Sequence, residues 1–238
     1  MKKIAVFFAE GYEEIEALTV VDMCRRAGID TEMVSVTDSL TVTGAHSISV
    51  VMDKLLKDVD FEALDMIVLP GGMPGTTNLE KTPVLMEQVK AFAAVGKYVA
   101  AICAAPSVFG HLGILKGKTA CCFPGFEEEL TGANVTYNSC ERDGNVITAR
   151  GMGCAIDFSV EIINALLDGA KGDEIASKIV YKKLFKKFQK KCDKMASLCI
   201  YVIRRLILCK NLKQIFQSFP KLTQSGMNPL LTSPDIMS

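Results

Sequence analysis

Three runs in this chain, KIAVFF (3–8), DMIVLP (65–70) and KYVAAI (97–102), are apolar at nearly every position rather than at every second one. A strand with one wet face alternates, whereas a strand apolar throughout is covered on both faces. Each run leads into a helical pattern. EEIEALTVVDMCRRAG (13–28) stops at Gly28, PVLMEQVKAFAAVG (83–96) has Pro83 in its first turn and Gly96 at its end, and AAPSVFGHLG (104–113) follows the third run. Between them lie a further strand, TEMVSV (31–36), and a hairpin through TVTGAHSISVV (41–51). KTACC (118–122) reads as another strand and CERDGNVITA (140–149) as a hairpin about Asp143-Gly144. AIDFSVEIINALLDG (155–169) closes the pattern as an amphipathic helix. Buried strands joined by crossover helices predict an α/β sandwich, a mostly parallel sheet with helices on both faces.

In such sheets ligands bind beyond the carboxyl ends of the strands. Three strand ends carry unusual residues: Glu10–Glu16, Pro70–Gly75 and Cys103. A residue at the strand-to-helix turn points away from the sheet edge, and the unpaired N–H groups of a following helix favour an anion there. Cys103 is therefore expected to have a depressed pKa and to act as a nucleophilic thiolate; the competing reading is a packed core cysteine. Glu16 shares a helix face with Val20 and Met23. On an apolar face its carboxyl has a raised pKa, against the alternative of a solvated flank glutamate. Glu13 and Glu14 read as first-turn acids that complement the helix dipole. Gly71 and Gly72 allow backbone N–H groups to face a bound oxygen, and no Lys-Ser/Thr ending follows to make a phosphate loop. Of the two histidines, His111 lies about 12 Å along the helix from Cys103, too far to be its base, and His46 falls in an exposed hairpin. Glu16 is the better general acid or base.

Charge divides the chain. Residues 182–238 hold twelve Lys/Arg against Asp193 and Asp235, a tail of about +10 on an acidic body, so the expected domains are 1–181 and a basic, helical or disordered tail, 182–238. The tail stretch from Tyr181 to Phe216 interleaves lysines with apolar residues. It suits an anionic membrane surface or an acidic partner, with lipidation of its cysteines, or else is an appended segment without selected function or a helix that only packs on the body. It lacks the interleaved aromatics of a nucleic-acid groove, so no nucleic acid is expected. The nine cysteines show no CxxC pair and no framework spacing, so neither a metal site nor a disulfide scaffold is expected. No secretory signal pattern opens the chain, and the expected location is cytoplasmic.

Four segments, EGYEEIEALTVVDMCRRAGI, DMIVLPGGMPGTTNL, AAICAAP and ITARGMG, together resemble the DJ-1/ThiJ/PfpI superfamily in its DJ-1-like branch, over about residues 1–181. The resemblance implies a flavodoxin-like sandwich and a homodimer. It implies a nucleophile at Cys103, a partner carboxyl at Glu16, and backbone N–H groups of Gly72 and Ala104 beside the thiol. No cofactor is implied. Protease-type relatives place His directly after the nucleophile, where this chain has Ala104, so a protease is disfavoured. Some DJ-1-like members carry a histidine where this chain has Phe123. Arg25, Arg26 and Arg150 match recurring basic positions, structural or dimer-facing, and packing is the expectation for Cys122 and Cys154. The implied function is a cysteine enzyme acting on reactive dicarbonyls or glycated substrates, a glutathione-independent glyoxalase or deglycase, with Glu16 moving protons. The alternative is a redox-sensing, chaperone-like protein whose Cys103 is oxidised to a sulfinate.

Overall fold

A computed structural model of the chain describes residues 1–167 and 169–181. The expectations for the 182–238 tail lie outside the described residues. Among the described residues there are eleven strands: β1 (Lys3–Phe8), β2 (Asp30–Ser35), β3 (Thr41–Thr43), β4 (Ser49–Val51), β5 (Lys54–Leu55), β6 (Met66–Leu69), β7 (Tyr98–Ile102), β8 (Thr119–Ala120), β9 (Asn134–Val135), β10 (Cys140–Asp143) and β11 (Val146–Ala149). The helices are α1 (Glu14–Arg26), α2 (Gly75–Glu80), α3 (Pro83–Val95), α4 (Pro106–His111), α5 (Ala155–Leu166) and α6 (Lys171–Lys178). Seven strands form one sheet in the order β10-β11-β7-β6-β1-β2-β5, parallel throughout except for the β10–β11 hairpin. This is the flavodoxin-like α/β sandwich.

The double-sided strands explain its two layers. Ile4, Val6 and Phe8 of β1 pack with Val20 and Met23 of α1 and with Phe158 and Ile162 of α5. Ala5 and Phe7 of the same strand pack on the other face with Leu85 and Val89 of α3 and Val108 and Phe109 of α4. Alternate side chains of one strand thus feed two cores.

The sheet grows from β1 in both directions, to β2 on one side and β6 on the other. Such a reversal opens a crevice at the carboxyl ends of the central strands. Residues following β1, β6 and β7 converge there.

Local signals hold where they are strong. Gly96 ends α3 in the left-handed conformation (φ +81°), and Pro83 opens it. The Glu13 carboxylate caps α1 by accepting from the Glu16 N–H at 2.7 Å. KTACC departs from expectation, giving only the two-residue β8, which pairs with β9 outside the central sheet. The chain leaves the ladder at Cys121, whose N–H donates instead to Thr148 Oγ1 at 3.0 Å. The sequence pattern does not announce α2, built from poor helix formers, which is held by burial of Thr76 and Leu79. Among the described residues no helix is long and apolar enough to cross a membrane.

Candidate active site

Cys103 follows the last residue of β7 and is the one site residue with strained backbone: its φ is +66°, a region that costs a side-chain-bearing residue about 1–2 kcal/mol. Two hydrogen bonds hold it there. Its N–H donates to Ala149 O at 2.9 Å, and its carbonyl accepts from the Phe123 N–H at 2.8 Å. The side chain is thereby turned out of the sheet toward the ends of β1 and β6, partly exposed to solvent.

Glu16 reaches the same point from α1. It is 1% exposed; the solvated-flank alternative is therefore excluded. Its Oε2 accepts from the Gly71 N–H at 3.0 Å, while Oε1 is buried without a hydrogen-bond partner among the described residues. The polar side chain it does meet is Cys103, through a short-range interaction of carboxyl and thiol.

Gly71 is the spacer between them. A Cβ on it would lie 2.5 Å from Cys103 Cβ and 2.6 Å from Glu16 Oε2, so only glycine fits. Gly72 follows with φ +89°, packed on the backbone at Tyr12 and Glu13, which is why two adjacent glycines are needed. The backbone N–H groups of Gly72 and Ala104 lie near enough to the thiol to pull its pKa down. Gly71→Ala is accordingly expected to retain the fold but lose about 100-fold in turnover, since displacing either reacting group by about an ångström has that effect; paired kcat/KM and thermal melts check it.

Burial pushes the Glu16 pKa up to about 7, with a smaller push from Glu13, opposed by the interaction with Cys103 and the Gly71 N–H. The thiol departs from the sequence-based expectation of a depressed pKa. Burial first, then the Glu16 charge and the short-range contact with its carboxyl, push Cys103 up to about 12, while the Gly72 and Ala104 N–H groups pull it down. The helix dipole contributes little, because α4 starts three residues later at Pro106 and is only six residues long. The two titrations are therefore coupled, since the charge of each group bears on the proton of the other.

Other predicted residues lie elsewhere. His111 is held between Glu80 (Nδ1–Oε1 2.6 Å) and Glu129 (Nε2–Oε2 2.8 Å), tying α4 to α2 and the Glu127–Glu129 turn. His46 is exposed as expected, but its N–H and ring bind Glu14 at 2.7 and 2.8 Å, so the buried Glu14 anchors the β3–β4 loop rather than serving the dipole alone. Arg25 is structural, donating to Thr31 O and Asp53 Oδ2. Arg26 pairs with Asp22 on the surface of α1, and Arg150 lies over the Tyr137 ring. Cys122 is buried in the apolar layer. Two further neighbours complete the site. Gly151 sits beside Glu16, where an added Cβ would be 3.8 Å from Oε1 and 3.2 Å from the Phe123 ring. The sequence signal for Gly151 was the glycine-rich segment after β11, RGMG, which marks a close backbone approach.

The DJ-1/PfpI family model matches residues 2–165. Protein DJ-1 homolog B of Arabidopsis thaliana is 38% identical over 183 residues, which is 76% of this chain but 42% of the relative, so the chain spans less than half that relative's length. Glutathione-independent glyoxalase DJR-1.2 of Caenorhabditis elegans is 31% identical over 159 residues, 66% of this chain and 84% of that protein. The solved structure of oxidized Toxoplasma gondii DJ-1 superposes with a TM-score of 0.73 at 32% identity, covering 76% of this chain and 99% of that one.

Proposed function

The chain belongs to the DJ-1/PfpI family, and we propose that within it this protein is a cofactor-independent enzyme that converts reactive dicarbonyls to hydroxy acids without glutathione. The observation that carries the reading is the pair itself: a partly exposed thiol on a strained turn against a buried carboxyl with one unsatisfied oxygen. The relative named a glutathione-independent glyoxalase is consistent with it.

The chemistry balances without an external oxidant. Cys103 passes its proton to Glu16 and its sulfur bonds to the aldehyde carbon, the carbonyl oxygen taking the proton back to give a hemithioacetal. Glu16 as carboxylate then removes the former aldehyde hydrogen, and the electron pair forms an enediol. The proton returns at the neighbouring carbon, so the aldehyde carbon is oxidised to a thioester while the ketone is reduced to an alcohol. Water cleaves the thioester and restores the thiol. The Gly72 and Ala104 N–H groups, near the sulfur, stabilise the thiolate form. Addition of the same thiol to early glycation adducts is the deglycase form of this reaction. Proteins of this family commonly form homodimers, and we extend that assembly, in a cytoplasmic setting, to this chain.

Pure protein supplied with methylglyoxal and no glutathione is expected to consume it catalytically and release lactate in equal amount, followed by enzymatic lactate detection. Peroxide oxidation of Cys103 to a sulfinate is the second reading; the solved Toxoplasma gondii relative is itself an oxidized form. Selective gain of two oxygens at Cys103 in protein without methylglyoxal turnover would favour it.

A further inference from the structure

We propose that Phe123 sets the substrate preference of this site, selecting α-oxoaldehydes with an aryl or other flat apolar substituent over those with a small one. The inference rests on the dicarbonyl reading and assigns its substrate class. Phe123 is bound to the nucleophile's own residue through its N–H to Cys103 O at 2.8 Å. Its ring flanks the site: the Cβ that Gly151 lacks would touch both Phe123 Cδ2, at 3.2 Å, and Glu16 Oε1, at 3.8 Å. The ring and the carboxyl oxygen thus both lie beside the bare Cα of Gly151.

The ring is 46% exposed, and no other aromatic ring stacks on it among the described residues. Met73 and Met152, the residues directly after Gly72 and Gly151, are likewise more than half exposed. These exposed apolar side chains thus adjoin, in sequence, the two glycines that line the site. A phenyl side chain exchanges no proton, so it acts on the substituent and not on the reacting atoms. Arg150, the residue before Gly151, lies over the Tyr137 ring and donates to Tyr137 O at 3.4 Å. One aromatic contact changes selectivity by roughly three- to tenfold.

The test compares kcat/KM for phenylglyoxal and methylglyoxal in wild type, Phe123→Ala and Phe123→Tyr. The expected result is a preference for phenylglyoxal that falls about tenfold in Phe123→Ala and is kept in Phe123→Tyr. A second measurement does not depend on turnover: the rate of Cys103 alkylation by N-benzyl iodoacetamide relative to iodoacetamide, expected to drop in Phe123→Ala by a similar factor. A wild type that turns over neither dicarbonyl removes the enzyme reading, and the alkylation ratio then judges Phe123 alone. Turnover of both with ratios unmoved by Phe123→Ala, in both measurements, overturns this proposal and leaves the enzyme reading standing.

Discussion

Cys103→Ser is expected to lose at least about 10³-fold in kcat/KM for methylglyoxal while keeping its fold. Serine fits the same turn, and the φ of +66° and the bonds to Ala149 and Phe123 involve backbone only. The loss is chemical. Even a thiol pushed up to about 12 gives its proton to a neighbouring carboxylate far more readily than an alcohol does. Every later step, from hemithioacetal to thioester, is formed on that atom. Circular dichroism and thermal melting establish that the variant is folded, and the rate comparison decides. A Cys103→Ser protein with more than a few per cent of wild-type turnover would sink the covalent mechanism.

Glu16→Gln is expected to reduce kcat/KM by about 10²–10⁴-fold, the range of a positioned acid–base group, and at the same time to stabilise the fold at alkaline pH. The carboxyl titrates near 7 when folded, against its ordinary 4.5. The folded protein therefore holds the proton more tightly than the unfolded chain, and folding takes it up between pH 4.5 and 7. Stability contributed by this group is full below pH 4.5 and declines as pH rises through that window. By pH 8 the decline amounts to about 3 kcal/mol. Glutamine has the same shape, still accepts from the Gly71 N–H and never ionises, so it escapes the decline. Urea unfolding at pH 5 and pH 8 checks the sign: the variant's advantage should grow toward pH 8. In the wild type, kcat/KM should rise through an apparent pKa near 7 as Glu16 becomes able to accept the thiol proton. Glu16→Gln should lack that limb. An advantage at pH 5 that vanishes at pH 8 would mean that the carboxyl is not the buried group described above.

These two residues were visible in the sequence for different reasons. Cys103 stood out because it ends a continuous apolar run, a signal carried by its immediate neighbours. Glu16 stood out because it lies in register with Val20 and Met23 on one helix face. The double-sided strands, the hairpins at 41–51 and 140–149, and the helix ends at Pro83 and Gly96 were legible in the same way. What weakened the reading was short elements. The helix α2 and the strand β8 exist because distant residues cover them or take their hydrogen bonds, and no local pattern announces that.

The sequence by itself determined the layers, the candidate nucleophile and the carboxyl, since strand burial and helix faces follow from residues two to seven positions apart. Tertiary structure decided the chemistry. Residues 16, 71, 103, 123 and 151 meet only because the sheet order places β1, β6, β7 and β11 in sequence-distant adjacency. That meeting reversed the expected direction of the Cys103 pKa, because desolvation and the field of a carboxylate come from atoms packed around a thiol rather than from the turn that carries it.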